Sequence, residues 1–375
     1  MNIEMIHIIL IVIMVTAALY MICIFAFTYG IITLKETYER CSIHDIKVSI
    51  LVAAKNEENV IITLLKSFIN QTYSKDMFEI ILIDDHSTDN THKLAEDFIK
   101  EHSELNIRLL TATGQGKKAA ISQALHSASN DLIMVTDADC DLPETWIESF
   151  VARYKHQDVK MILGPVLLSP ANNIFEKLQV IEHLSLIAST AGSASIKMPV
   201  MCNGANMAYE RKAAIEVERY RHDMNIVSGD DIFLLEQFLR HYGNNSVCFL
   251  LDKAAVVKTK TSPTISHFLK QRRRWVSKTK AYTNIKIIVT ALTVLLFNLG
   301  IVSLSIMAII TPLLWLNFVM FVLLKFLIDF PILRYISNFM NQRSLIFWVL
   351  PLEFIYPYYV VITAISGLIL KTRWK

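Results

Sequence analysis

The sequence predicts a mostly parallel α/β domain held between membrane-crossing helices, and three observations predict it. Apolar residues concentrate at the two ends, the middle alternates short apolar runs with amphipathic stretches, and acidic residues recur just after those runs. Of 375 residues, 53% are hydrophobic and 19% charged, with a mean hydropathy of +0.40. A soluble domain averages about 45–50% apolar and roughly 25% charged, so the excess belongs to the ends. A net charge of +3 is too small to argue for a nucleic-acid partner. Five cysteines (Cys23, Cys41, Cys140, Cys202, Cys248) include no Cys-x-x-Cys pair. That excludes a zinc ribbon, supplies no disulfide framework, and reads as reduced thiols.

The elements follow in order. Ile6 to Leu34 is apolar apart from His7, a few hydroxyls and Gly30, and exceeds the about 20 residues a bilayer crossing needs. No Lys or Arg precedes it and no small-residue cleavage site closes it, which reads against a cleaved signal peptide. Lys35 and Arg40 follow, so positive-inside counting puts the N-terminus outside and the middle in the cytoplasm.

Val48 to Ala54 reads as a strand, Asn59 to Phe68 as a helix, Glu79 to Ile83 as a strand and Thr91 to Lys100 as a helix. Ile107 to Leu110 is a third strand. Gly114-Gln115-Gly116-Lys117-Lys118 opens a helix through Leu125, and Leu132 to Val135 is a fourth strand. Repeated strand–helix units of this length imply a parallel sheet covered on both faces. Trp146 to Tyr154 reads as helix, Met161 to Val166 as strand, and Phe175 to Ser189 as a helix along the membrane or the core. Asn203-Gly204-Ala205-Asn206 is a small-residue loop suited to close approach, and Ile232 to Leu239 reads as a helix. Asp230 and Asp231 fall in or beside its first turn, where the macrodipole favours acids.

From Thr264 a basic amphipathic stretch carries Ile265, Phe268, Leu269, Trp275 and Val276 on one face, as an interfacial helix does. Apolar blocks at Ile285–Ile310, Pro312–Leu333 and Leu345–Leu370 follow. Three crossings put Lys371, Arg373 and Lys375 outside, while Pro351 and Pro357 leave a kinked or re-entrant last block open.

The chemistry centres on Asp131 to Pro143. Leu132 to Val135 delivers Asp137 and Asp139 to a strand's C-terminal end, where open α/β sheets place ligands. Two such carboxylates can share a hard divalent ion, Mg²⁺ or Mn²⁺, which in turn holds phosphates. Asp is also a common turn residue, so this pattern alone does not decide.

The series Asn56-Glu57, Asp84-Asp85, Gly116-Lys117, Asp137-Ala138-Asp139, Asp230-Asp231 and Gln271-Arg272-Arg273-Arg274-Trp275 resembles the membrane-embedded family 2 glycosyltransferases with the GT-A fold. Cellulose, hyaluronan, chitin and poly-N-acetylglucosamine synthases and ceramide glucosyltransferases belong to that family. The resemblance runs from about Lys47 to Trp275 and implies an inverting, metal-dependent transferase using a nucleotide sugar, UDP-linked. It implies Glu57, Asp84 or Asp85, Lys117 and Asp137 on the nucleotide sugar, Asp137 and Asp139 on the metal, and Asp231 as general base beside Asp230. It also implies Asn203, Gly204 and Asp230 at the acceptor. Gln271, Arg274 and Trp275 would face the donor, with Trp275 also at the acceptor. Arg272 and Arg273 fill variable positions open to lipid headgroups, and His86 stands where the family commonly has glycine.

The resulting domain expectation is a transmembrane helix at 1–34, a cytosolic GT-A domain at 47–260, an interfacial segment at 261–284 and a membrane region at 285–370 of an integral cell-membrane protein. The expected acceptor is a growing polysaccharide. A lipid hydroxyl is the alternative, and a non-catalytic nucleotide-sugar-binding module is a third reading.

Overall fold

The computed structural model describes residues 3–34, 46–155, 159–219 and 229–369. Lys35, Arg40, Lys371, Arg373 and Lys375, on which the charge-asymmetry reading rests, lie outside the described residues, as does Cys41. The chain divides into two compact units.

One unit, built from 34–170 and 201–261, holds a seven-stranded sheet ordered β3-β2-β1-β4-β7-β5-β8. Its strands are β1 (Val48–Ala54), β2 (Phe78–Asp84), β3 (Ile107–Thr111), β4 (Leu132–Asp137), β5 (Met161–Leu163), β7 (Asn206–Glu210) and β8 (Val247–Phe249). β1 and β2 are buried almost throughout, which is why they read as unbroken apolar runs. Helices α2 (Ile61–Ile69), α3 (Thr91–Glu101) and α4 (Lys117–Ser127) connect the first four strands. α4 packs on β1 and β2, and α2 packs against α3. α5 (Trp146–Lys155), α7 (Arg211–Glu218) and α8 (Asp230–Tyr242) complete this unit's α-helices among the described residues.

Three features position the site. β2 and β4 flank β1 in parallel, so the chain winds first one way and then the other from β1, and the ends of β1, β2 and β4 share one edge. β7 is the reversed strand: it runs antiparallel to both β4 and β5, with Thr136 opposite Asn206. An antiparallel strand begins where its neighbour ends, so the Asn203–Gly204 loop arrives beside Asp137. The expected single strand from Met161 to Val166 is two. The chain breaks at Gly164-Pro165, and β6 (Val166–Leu168) leaves to pair with β9 (Val257–Thr259) in a separate two-stranded sheet. A Cβ at Gly164 would collide with the Asn206 amide, whose Nδ2 donates to Pro165 and Ala255 carbonyls at 2.7 and 2.9 Å.

The other unit comprises the described residues among 1–33, 171–200 and 262–373. It contains α1 (Ile3–Thr33), α6 (Ile174–Ser195), α9 (Ile265–Ser277), α10 (Ile285–Ile310), α11 (Leu314–Phe339) and α12 (Val349–Ile369). Among the described residues, four helical runs are long and apolar enough to cross a membrane: Glu4–Thr33, Ile285–Ile310, Leu314–Phe339 and Arg343–Ile369. α12 is unbroken with Pro357 inside it. Large apolar side chains stay exposed along these runs, Ile22 at 65% and Ile309 at 75% among them, the pattern of a lipid-facing surface.

α6 joins α1 through glycines. A Cβ on Gly192 would overlap the Phe27 carbonyl, and one on Gly30 the Gly192 carbonyl, so the two backbones touch as small residues permit. A buried charge cluster ties three helices: Lys325 Nζ donates to Asp329 at 2.5 Å and Glu353 at 2.7 Å. Tyr20 donates to Asp329 at 2.8 Å. Charges at membrane depth are tolerated when paired in this way.

Candidate active site

The edge is shaped first by its loops. Asn56 and His86 both adopt φ of +56°, the left-handed region that favours glycine. His86 therefore keeps the glycine-type turn, and its Nε2 donates to the Gly114 carbonyl at 3.1 Å. The loop after β1 is laced to the loop after β2. Glu57 N–H donates to Thr91 Oγ1 at 2.7 Å and Thr88 N–H to Asn56 Oδ1 at 2.8 Å. This fixes where Glu57 leaves the backbone.

Asp84 and Asp85 have different partners. Asp84 accepts from the Ser87 N–H at 3.1 Å and contacts His92 Nδ1 at 3.0 Å, so it holds its own turn. Asp85 accepts from the Gly116 N–H at 3.0 Å and pairs with Lys55 at 3.4 Å. It thereby binds the second loop to the start of α4, where Gly116 has φ of +89°.

Gly116 launches Lys117, whose ammonium forms an ion pair with Asp137. Burial alone would lower the Lys117 pKa, but Asp137, Asp230 and Asp231 around it raise it above the ordinary lysine value. Lys117 is thus a fixed cation among three acids from two separate segments, the end of β4 and the start of α8. The Gly204 N–H donates to Asp231 Oδ2 at 3.3 Å. A Cβ at Gly204 would come within 3.6 Å of Lys117 Nζ and 3.4 Å of Asp231 Cβ. Lys117, Asp137, Gly204, Asp230 and Asp231 therefore converge on one spot. Gly229, with φ of +93°, turns the chain into α8 so that Asp230 and Asp231 begin the helix.

Asp139 lies next to this group. Burial, then the neighbouring Asp137 charge, raises its pKa, while Thr259 Oγ1 donates to it at 3.0 Å. Among the described residues no three His, Cys, Asp or Glu side chains form a metal-holding group. The donor set on offer is two carboxylates at a strand end with excess negative charge, which fits Mg²⁺ or Mn²⁺ completing their shells from phosphates and water.

The remaining predicted residues belong to the other unit. On α9, Arg272 is 4% exposed and does not reach for headgroups. Its Nε and Nη2 donate to Glu182 of α6 at 3.0 and 2.5 Å. Tyr359 donates to the same Glu182 at 3.1 Å. Arg272 Nη1 donates to Gln271 Oε1 at 2.7 Å, and its guanidinium lies 4.1 Å from the Trp275 ring centroid. Gln271 and Trp275 are thus both held by the arginine between them, and Arg274 is half-buried one position before Trp275.

Sequence reasoning missed four residues here. Glu182 and Thr259 act across 90 and 120 residues, which no local pattern signals, and His92 reaches Asp84 from the first turn of α3. Asn206, expected in an acceptor loop with Asn203, is fully buried, accepts from Trp146 Nε1 at 2.9 Å, and braces the sheet instead.

Residues 49–218 match the model of the family described as "Glycosyl transferase family 2". Over 138 residues, 36% of this chain and 29% of the relative, the chain is 35% identical to a β-monoglucosyldiacylglycerol synthase of Nostoc sp.. Over 236 residues, 61% of this chain and 53% of the relative, it is 27% identical to a poly-β-1,6-N-acetyl-D-glucosamine synthase of Staphylococcus epidermidis. The chain thus spans about half or less of the length of these curated relatives. A solved mannosyltransferase of Pyrobaculum calidifontis, in complex with GDP-Man and Mn²⁺, superposes with a TM-score of 0.61. The superposition covers 96% of this chain and 99% of that one at 12% identity. The expected GT-A architecture is the one observed.

Proposed function

We propose, from the premise that residues 49–218 form a family 2 glycosyltransferase domain, that this protein is an inverting membrane glycosyltransferase. It moves a sugar from a nucleotide sugar, UDP-linked, to the hydroxyl of a growing polysaccharide. The observation that carries this reading is the convergence of Lys117, Asp137, Gly204 and Asp231 at the edge where β1, β2 and β4 end.

Glu57 and one of Asp84/Asp85 form the seat for base and ribose, because carboxylates accept from uracil N–H and ribose hydroxyls. Lys117 neutralises donor phosphate charge beside Asp137. Mg²⁺ or Mn²⁺ on Asp137 and Asp139, when bound, supplies Lewis-acid stabilisation of the leaving diphosphate. Asp231 takes the acceptor proton as attack begins. Asn203, Gly204 and Asp230 line the acceptor's approach. Attack on the face opposite the leaving group inverts the anomeric carbon. The motif assigns Arg274 to the diphosphate, which a guanidinium suits. Gln271 goes to the donor, and Trp275 to a sugar ring.

A lipid hydroxyl is the second acceptor reading, favoured by the similarity to a protein named a monoglucosyldiacylglycerol synthase. Mass spectrometry of the purified full chain incubated with labelled UDP-sugars, with and without ceramide and diacylglycerol, decides. A ladder of products supports the polysaccharide, and a single hexose increment on lipid supports the second reading. No transfer from any UDP-sugar overturns both in favour of a binding module. The catalytic unit faces the cytoplasm in this proposal, with the N-terminus outside. Cysteines introduced between 47 and 261 should then resist membrane-impermeant labelling in intact cells, and full labelling would overturn the orientation.

A further inference from the structure

A cavity of about 470 Å³ opens between the last turns of α11 and the start of the Arg343–Ile369 helical run. Arg334, Ser337, Asn338, Arg343 and Ser344 supply its polar lining. Arg334 lies within α11. The turn at Asn341, with φ of +56°, folds the chain back so that the two arginines line one cavity.

Among the described residues, neither guanidinium has an acidic partner. No Asp or Glu occurs between Asp329 and Glu353, and those two are engaged with Lys325. The negative end of α11 is also quenched. The carbonyls of Ile336, Ser337 and Asn338 accept from Met340, Gln342 and Asn341 N–H groups at 2.9, 2.7 and 3.2 Å. The opposite wall is a short 3-10 segment, Arg343–Trp348, that leads into α12. Phe347, 81% exposed, adds a large apolar side chain to the rim.

Two uncompensated arginines, hydroxyl and amide donors, and an apolar rim at the end of two membrane-length helices specify an amphiphile with a compact anionic head. We propose that this cavity binds the phosphate group of an anionic phospholipid. Paired guanidiniums suit phosphate oxygens bidentately, and Phe347 lies where the first acyl carbons would pass. The site is separate from the transferase reaction and rests on the helices crossing a membrane.

The test uses the full chain in nanodiscs of phosphatidylcholine alone or mixed with phosphatidylglycerol, reading retained lipid by native mass spectrometry. Wild type should retain phosphatidylglycerol selectively. Arg334→Gln/Arg343→Gln should cut that selectivity by about thirtyfold, the effect of removing two cations from an anionic surface. Ser344→Glu, which puts a carboxylate in the cavity and leaves both arginines, should do the same if the double variant fails to fold. Displacement of the lipid by millimolar inorganic phosphate would support the phosphate site and reassign it to a soluble ester. Equal retention of both lipids by wild type, or undiminished selectivity in the variants, would overturn it. Transfer activity is not read, so this outcome is independent of the catalytic proposal.

Discussion

Glu182→Gln tests whether the buried pair between α6 and α9 organises the Gln-x-x-Arg-Trp helix. The side chains of Arg272 and Glu182 are 4% and 6% exposed, so water cannot replace what the substitution removes. An amide keeps one acceptor oxygen but turns a donor toward the guanidinium, and leaves a buried cation uncompensated. Removing one partner of such a pair costs about 3–5 kcal/mol. Each 1.4 kcal/mol being tenfold, the folding equilibrium should fall by on the order of 10² to 10³ or more. Tyr359 also loses its carboxylate acceptor, so the upper half of the range is expected. The control is Glu182→Gln/Arg272→Met, which removes the stranded charge. Replacing both members of a buried pair with neutral groups is often close to neutral, so the double variant should recover most of the loss. Thermal unfolding of the detergent-solubilised full chain measures both. The same preparations report sugar transfer, which should drop in the single variant because Gln271 and Trp275 are held through Arg272. A single variant as stable as wild type, or a double variant no better than the single, would refute the argument.

Asp231→Asn should lower transfer by on the order of 10²–10⁴, the range for a positioned acid–base group, while calorimetry shows UDP binding intact. Asp230→Asn is the control for helix-start electrostatics, worth roughly 0.3–1 kcal/mol, and a near-native rate for Asp231→Asn would move the base elsewhere. Asp139→Asn should abolish turnover and metal-dependent donor binding with the fold retained, and unchanged wild-type activity in EDTA would refute the metal's role. Gly192→Ala should destabilise the α1–α6 contact by about 1–3 kcal/mol, the usual cost of overpacking, read as a lower melting temperature. An unchanged melting temperature would mean those backbones do not touch.

Much of the fold was legible because a parallel strand buried on both faces is a local pattern: β1, β2 and β4 can be read directly from Val48–Ala54, Glu79–Ile83 and Leu132–Val135. Their connecting helices could be read from apolar spacing for the same reason. The membrane-length helices announce themselves by composition alone. The strand-end acids were legible too, since strand–helix units must place their strand ends on one edge.

Tertiary structure decided everything that depends on partners far away in sequence. The reversal of β7 is set by its pairing between β4 and β5, and it brings Gly204 to Asp231, 27 residues on. The split of 161–168 is set by where Asn206 sits. Arg272 reads as a variable, lipid-facing position until Glu182, 90 residues earlier, is found beside it. Gly192 and Gly30 are ordinary glycines until two helix backbones meet there. A sequence states which residues want to be buried and with what periodicity. Which buried charge meets which carboxylate, and which backbones touch, is a property of the packed chain, because those contacts form only once the elements have been brought together.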